Sequence, residues 1–132
     1  MDTGQVFYQK YLLKIDDHLV YTVGKIILEH VGLENAIRRV DLVDEVQRRM
    51  GIALSNPDRK IRKAIEILRG DRWLIGASAS GDGYFKVSNM EEFEEFDKNY
   101  TGRAYQIIHN SNEMREGAKA EFEQNAKQLS LI

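Results

Sequence analysis

Apolar residues along this chain recur at steps of three and four, and the runs are cut by glycines and by a single proline. From Asp16, the positions Leu19, Val20, Val23, Ile26, Ile27 and Val31 share one helical face and predict an amphipathic helix. Gly32 is its expected C-cap, with His30 near the negative end of the helix dipole. Residues 36–40 read as a short strand. A second helix is expected from Asp41 to Met50, with Leu42, Val43, Val46 and Met50 inward and Gly51 as its stop. Asn56-Pro57 then marks a third helix start, Asn56 as N-cap and Pro57 at the first helical position. Ile61, Ala64, Ile65 and Leu68 form its inward stripe, and Gly70 closes it.

Two strand-like runs follow, Trp73 to Ala79 and Tyr84 to Ser88. Ser80-Gly81-Asp82-Gly83 joins them as a hairpin turn. Ser88 with Glu91, or Asn89 with Glu92, offers a capping box for a last helix. Along that helix Phe93, Phe96, Tyr100, Ala104, Ile107, Ser111, Met114 and Ala118 form a heptad-like stripe, read either as packing or as a homodimer seam across residues 93–118. The N-terminal apolar positions Val6, Phe7, Tyr8, Tyr11, Leu12, Leu13 and Ile15 fit neither period, so residues 1–15 stay open. The resulting class is α+β, mostly α. Its segments are 1–15, a domain at 16–89, a helix at 90–127 and a tail at 128–132.

A chain of 132 residues suits one core with appendages. Cysteine is absent, which excludes a disulfide framework and a thiolate zinc site. The start, Met1-Asp2-Thr3-Gly4, lacks the basic and apolar regions of a signal peptide. Leu19 to Leu28, broken by Thr22 and Lys25, is too short and too polar to span a bilayer. The expectation is a cytoplasmic protein with no membrane partner. Its net charge of −2 conceals an asymmetry, because residues 38–72 hold ten basic and six acidic side chains while residues 91–132 hold five and nine. A polyanion would meet the middle segment.

Helix, short strand, helix, turn, helix and hairpin is the order of a winged helix-turn-helix. The segment Arg59-Lys60-Ile61-Arg62-Lys63-Ala64-Ile65-Glu66-Ile67-Leu68-Arg69, with Gly81-Asp82-Gly83-Tyr84-Phe85 after it, resembles the third helix and wing of such domains. Its wing is similar to the Gly-x-Gly-Tyr turn in the DNA-binding domain of the biotin ligase repressors. Residues 41–132 resemble small winged-helix proteins of bacteriophages and prophages, which follow the wing with a charged helix. The fold the resemblance implies is a winged helix-turn-helix with a long C-terminal helical extension, and the partner is double-stranded DNA. With the apolar stripe inward, Arg59, Lys60, Arg62, Lys63, Glu66 and Arg69 face outward, five of the six basic. Arg59 and Arg62 are the candidates for base or phosphate contact, and Lys60 and Lys63 for phosphate. Arg69, and Gly81 and Gly83 in the wing, complete the candidate DNA-binding set. Arg38, Arg39, Arg48, Arg49 and Arg72 are candidates to extend it. Two departures stand out: the Gly51–Pro57 connection is long for a tight helix-turn-helix, and Asp82 puts a carboxylate at the wing tip.

The final residues Gln128-Leu129-Ser130-Leu131-Ile132 resemble the peptide by which bacterial replication and repair proteins dock on the ring-shaped sliding clamp. In that reading Leu131 and Ile132 enter an apolar pocket from an extended tail, and the Gln128 amide supplies a directional hydrogen bond.

Nothing in the chain argues for catalysis. His18, His30 and His109 are scattered without metal-ligand spacing, and phosphate-binding loops, nucleophile elbows and dinucleotide fingerprints are absent. No cofactor and no metal is expected. Trp73 reads as core, and the acidic run Glu91, Glu92, Glu94, Glu95 and Asp97 as charge suited to a helix start. The leading function is therefore a phage-type winged-helix DNA-binding protein tethered to the host sliding clamp, acting in phage or host DNA replication. The alternatives are a sequence-specific transcriptional regulator without clamp binding, and a protein-interaction module or replication inhibitor that does not touch DNA.

Overall fold

A computed structural model describes residues 3–12, 15 and 17–130, with side chains for 7–12, 15 and 17–124. It is mostly helical, with a small antiparallel sheet. The elements in chain order are α1 (Thr3–Leu12), α2 (His18–Ile27), β1 (Ile37–Arg38), α3 (Arg39–Met50), α4 (Pro57–Gly70), β2 (Ile75–Ala77), β3 (Gly83–Lys86) and α5 (Met90–Ser130). The chain divides into two compact units, residues 1–96 and 97–132. Among the described residues, no helix is long and apolar enough to cross a membrane.

In the first unit, α2 packs on α3 and α4 around Val23, Ile26, Ile27, Leu42, Val46, Ile61, Ala64, Ile65 and Leu68, all buried. Each large aliphatic among them contributes about 2 kcal/mol relative to an exposed position. Residues Thr3–Leu12 of the ambiguous N-terminal segment form a helix. Its Tyr8 and Leu12 are buried one turn apart, and Tyr8 and Tyr11 meet Trp73 edge-on with ring centroids at 4.8 and 5.6 Å. The burial of Trp73 agrees with its reading as core.

The helix from Asp16 is shorter than its periodicity predicts. Asp17 caps α2 by accepting hydrogen bonds from Leu19 N at 2.9 Å and Val20 N at 3.1 Å. The helix stops at Ile27, because the chain beyond is captured by β3. Lys86 N donates to His30 O at 2.7 Å, and Gly32 N donates to Lys86 O at 2.8 Å. Gly32 is therefore no C-cap; with φ of +88° it leads instead into a 3-10 turn at Leu33–Asn35. Gly51 does cap α3, in the left-handed conformation. Asn56 precedes α4 as expected but makes no side-chain capping bond. Its backbone is left-handed, and Asp58 supplies the favourable negative charge in the first turn.

The sheet order is β1-β3-β2, with Ile37 opposite Tyr84, and Gly76 opposite Phe85. Phe85 fills the space that a side chain at Gly76 would need, since a Cβ there would lie 2.5 Å from the ring. The second of the two capping options is the one used at α5. Asn89 Oδ1 accepts from Glu92 N at 2.8 Å, while the Glu92 carboxylate takes the Ser88 N–H at 2.8 Å and the Leu33 N–H at 3.0 Å. The second unit is the remainder of α5, whose backbone stays helical past residue 127 to Ser130.

Candidate nucleic-acid interface

The buried stripe of α4 fixes the direction of its other side chains. At 100° per residue, Arg59 and Lys63 point opposite the core, with Arg62 to one side and Lys60 to the other. All four are exposed, and all lie in the first half of the helix. Arg59 and Lys63 are four residues apart, a like-charge pair that costs a helix about 0.2–0.5 kcal/mol and that a bound anion relieves.

The cations of this region are engaged to different degrees. Among the described residues, Arg59 and Lys63 make no ion pair. Lys60 Nζ donates to Ser55 Oγ at 2.9 Å, a neutral partner. Arg62 Nη2 donates to Asp58 Oδ2 at 2.7 Å, and Arg39 reaches the same carboxylate through Nη2 at 2.7 Å and Nε at 3.3 Å. The Asp58 contact raises the pKa of Arg39, first through the hydrogen bond and then through its charge. Asp58 was not singled out by sequence reasoning. Its i,i+4 spacing to Arg62 was a readable signal, whereas Arg39 is nineteen positions away.

Arg69 stands apart from the other four. It is half-buried, its Nε donates to Ile75 O at 2.9 Å, and its guanidinium lies over the Phe96 ring at 5.2 Å. It ties α4 to the sheet rather than presenting charge to solvent. The two hairpin glycines also separate. Gly81 occupies the turn with φ of +80° and open space around it, while Gly83 is buried in β3, where a Cβ would come within 3.4 Å of Ala36 Cβ and Ile37 O.

Most of the additional arginines are matched by acids. Arg38 pairs with Asp41 at 3.0 Å, Arg48 with Glu45 at 2.5 Å, and Arg49 with both Glu29 and Glu45 at 2.7 Å. The two arginine hydrogen bonds hold the Glu45 carboxyl down to about 2. Among the described residues of the positive middle segment, Arg38, Arg39, Arg48, Arg49 and Arg62 are ion-paired, while Arg59, Lys60 and Lys63 on α4 make no ion pair. Asp82 is exposed and folds back on its turn, accepting from Ser80 Oγ at 2.5 Å and Ser78 Oγ at 3.2 Å. Those bonds keep its pKa below the usual carboxylate range.

Beside α4, an open groove of about 600 Å³ is lined by Arg38, Arg39, Val40, Val43, Asp44, Asp58 and Asp82. Two arginines against three aspartates give it no positive field, so it is not an anion site. Among the described residues, no group of three or more His, Asp or Glu is placed to hold a metal ion. Gln128, Leu129 and Ser130 have helical backbone, in contrast to the extended tail expected. Their side chains, and Leu131 and Ile132 altogether, lie outside the described residues. No protein-family model, curated protein or solved structure significantly matches the chain.

Proposed function

We propose that residues 16–89 are a winged helix-turn-helix whose α4 binds double-stranded DNA, in a binding protein rather than an enzyme. The observation that carries this reading is the outward first half of α4, where Arg59, Lys60, Arg62 and Lys63 are all exposed opposite a buried stripe. The order of the elements supports it: α2, β1, α3 and α4 precede the β2–β3 hairpin, and β1 pairs with that hairpin through β3. A recognition helix uses its N-terminal residues in the major groove, and that is the half of α4 that holds the cations. Arg59 and Lys63, without acidic partners among the described residues, are the first phosphate or base contacts. Arg62 joins them when a phosphate displaces Asp58.

The tail is the second half of the proposal. Gln128 to Ile132 docks on a bacterial sliding clamp, so the protein acts in phage or host DNA replication. Two weak contacts on one chain gain from effective concentration when clamp and DNA are held in one assembly. For a release of counterions by Arg59, Lys60 and Lys63 alone, log affinity for duplex DNA falls against log salt with a slope near −2.7. Anisotropy titrations of a labelled duplex across a salt series test the first half. No binding at low salt overturns it and leaves a protein-interaction module. Calorimetry against a purified clamp, with and without residues 128–132, tests the second half; equal binding by both chains overturns it.

A further inference from the structure

The two flanks of α4 differ in charge. With the buried stripe inward, the helix turns Asp58, Arg62 and Arg69 to one side and Lys60 and Ile67 to the other. Arg59, Lys63 and Glu66 point outward between them. On the first side every charge is engaged: Arg62 pairs with Asp58, and Arg69 is held by Ile75 O and the Phe96 ring. The β2–β3 hairpin closes that side. Asp82 O, at its tip, accepts from Arg39 N at 2.7 Å, and the Arg39 guanidinium reaches Asp58. Asp44, Asp58 and Asp82 line one groove there, and Asp82 is the sole charge between Ser78 and Asp82. Three carboxylates on one edge oppose the approach of a phosphate.

The other flank has the opposite character. Among the described residues Lys60 makes no ion pair, and its Nζ donates to Ser55 Oγ at 2.9 Å. Ser55 accepts that bond, and its own proton donates to no other described residue. Asn56 is left-handed, and its amide makes no capping bond. Both residues are exposed, and no acidic residue lies from Gly51 to Pro57. Hydroxyl and amide groups of this kind hold phosphate oxygens by hydrogen bonds and add no charge.

We propose, on the reading of α4 as a DNA-binding helix, that Ser55 and Asn56 are phosphate contacts of the duplex and that the hairpin is not. The duplex lies over Arg59, Lys63 and Lys60, with Arg62 at its edge and the hairpin beyond. The long connection between α3 and α4 then brings neutral donors to the DNA backbone beside Lys60.

The natural chain has no cysteine, so Ser55→Cys and Ser80→Cys each take a thiol-reactive benzophenone at one site. In complexes that anisotropy shows to be saturated with a short duplex at low salt, irradiation crosslinks the label at 55 to DNA. The label at 80 gives no crosslink. Asn56→Gly removes the amide and keeps the left-handed backbone, which glycine adopts without strain. Duplex affinity falls about two- to tenfold, the worth of one hydrogen bond. The log–log salt slope stays the same because no cation is lost, and the urea midpoint is nearly unchanged. Crosslinking from 80, none from 55, or full affinity in Asn56→Gly overturns the proposal and leaves DNA binding by α4 standing. No duplex binding by the natural chain at low salt overturns both.

Discussion

Arg39, the first residue of α3, and Asp58, in the first turn of α4, form a two-point ion pair, with Nη2 to Oδ2 at 2.7 Å and Nε to Oδ1 at 3.3 Å. Arg62 shares that carboxylate. Asp58 therefore withholds two guanidinium groups from any phosphate at the edge of α4. Replacing Asp58 by Ala frees both. The expected result is tighter duplex binding at low salt, with the log–log salt slope steeper by up to about 1.8, two further counterions. The first turn of α4 also loses a favourable charge, at a stability cost of about 0.3–1 kcal/mol. Weaker DNA binding in Asp58→Ala would show that the pair positions the arginines instead of masking them.

Arg59 and Arg69 lie on one helix and should respond differently to truncation. Arg59→Ala, or Lys63→Ala, is expected to leave the urea midpoint nearly unchanged and to flatten the salt slope by about 0.9 each. Arg69→Ala loses the hydrogen bond to Ile75 O and the contact with the Phe96 ring, which together stabilise the fold by about 1–3 kcal/mol. Its salt slope should stay as in the natural chain. Paired urea and anisotropy titrations separate these outcomes. A change of slope in Arg69→Ala would return that residue to the interface.

What could be read from the sequence was what is local. The stripe Ile61, Ala64, Ile65 and Leu68 lies within two turns of one helix, and its burial fixed the outward set Arg59, Lys60, Arg62 and Lys63 in advance. The hairpin was marked by Gly81 and Gly83 in the same way. What could not be read depended on partners far along the chain. Residues 3–12 look aperiodic because the surface they cover is Trp73, more than sixty positions later. Val31 belongs to the helical period but is drawn off by Lys86. Arg69 looked like one more exposed cation until Phe96 and Ile75 were brought beside it. The net charge of residues 38–72 misled for the same reason, since Glu29, which pairs with Arg49, lies outside that window.

Stability should fall off in two separate pH ranges. Hydrogen bonds from Arg48 and Arg49 hold folded Glu45 at about 2, against 4.5 for an unperturbed glutamate. A depressed carboxylate stabilises the fold above its unfolded pKa, so this contribution is present above about pH 4.5 and is lost as pH falls towards 2. Tyr11 is the opposite case. Burial, and then the hydrogen bond its hydroxyl donates to Asp71, raise it from 10.0 to about 12. Its contribution is complete below pH 10 and disappears as pH rises towards 12. Urea midpoints across pH should show both limbs. Glu45→Gln is expected to shrink the acid limb, part of which remains because Arg49 also lowers Glu29. Tyr11→Phe is expected to shrink the alkaline limb and leave the acid one alone.

Gly76 is held to glycine by its neighbour and not by its backbone. It sits in β2 opposite Phe85, which is 2% exposed, and an added Cβ would lie 2.5–2.9 Å from three carbons of that ring. The ring cannot retreat without disturbing the core, so Gly76→Ala should cost about 1–3 kcal/mol, the range for overpacking. Gly81 gives the control. Its surroundings are open and its penalty comes only from a φ of +80°, so Gly81→Asn, a residue that tolerates the left-handed region, should be nearly neutral. In the double variant Gly76→Ala with Phe85→Leu, the smaller side chain makes room for the methyl group. That pair should recover part of the loss, seen as a coupling energy in a double-mutant cycle. Additive losses would mean that the strain at Gly76 is not with Phe85.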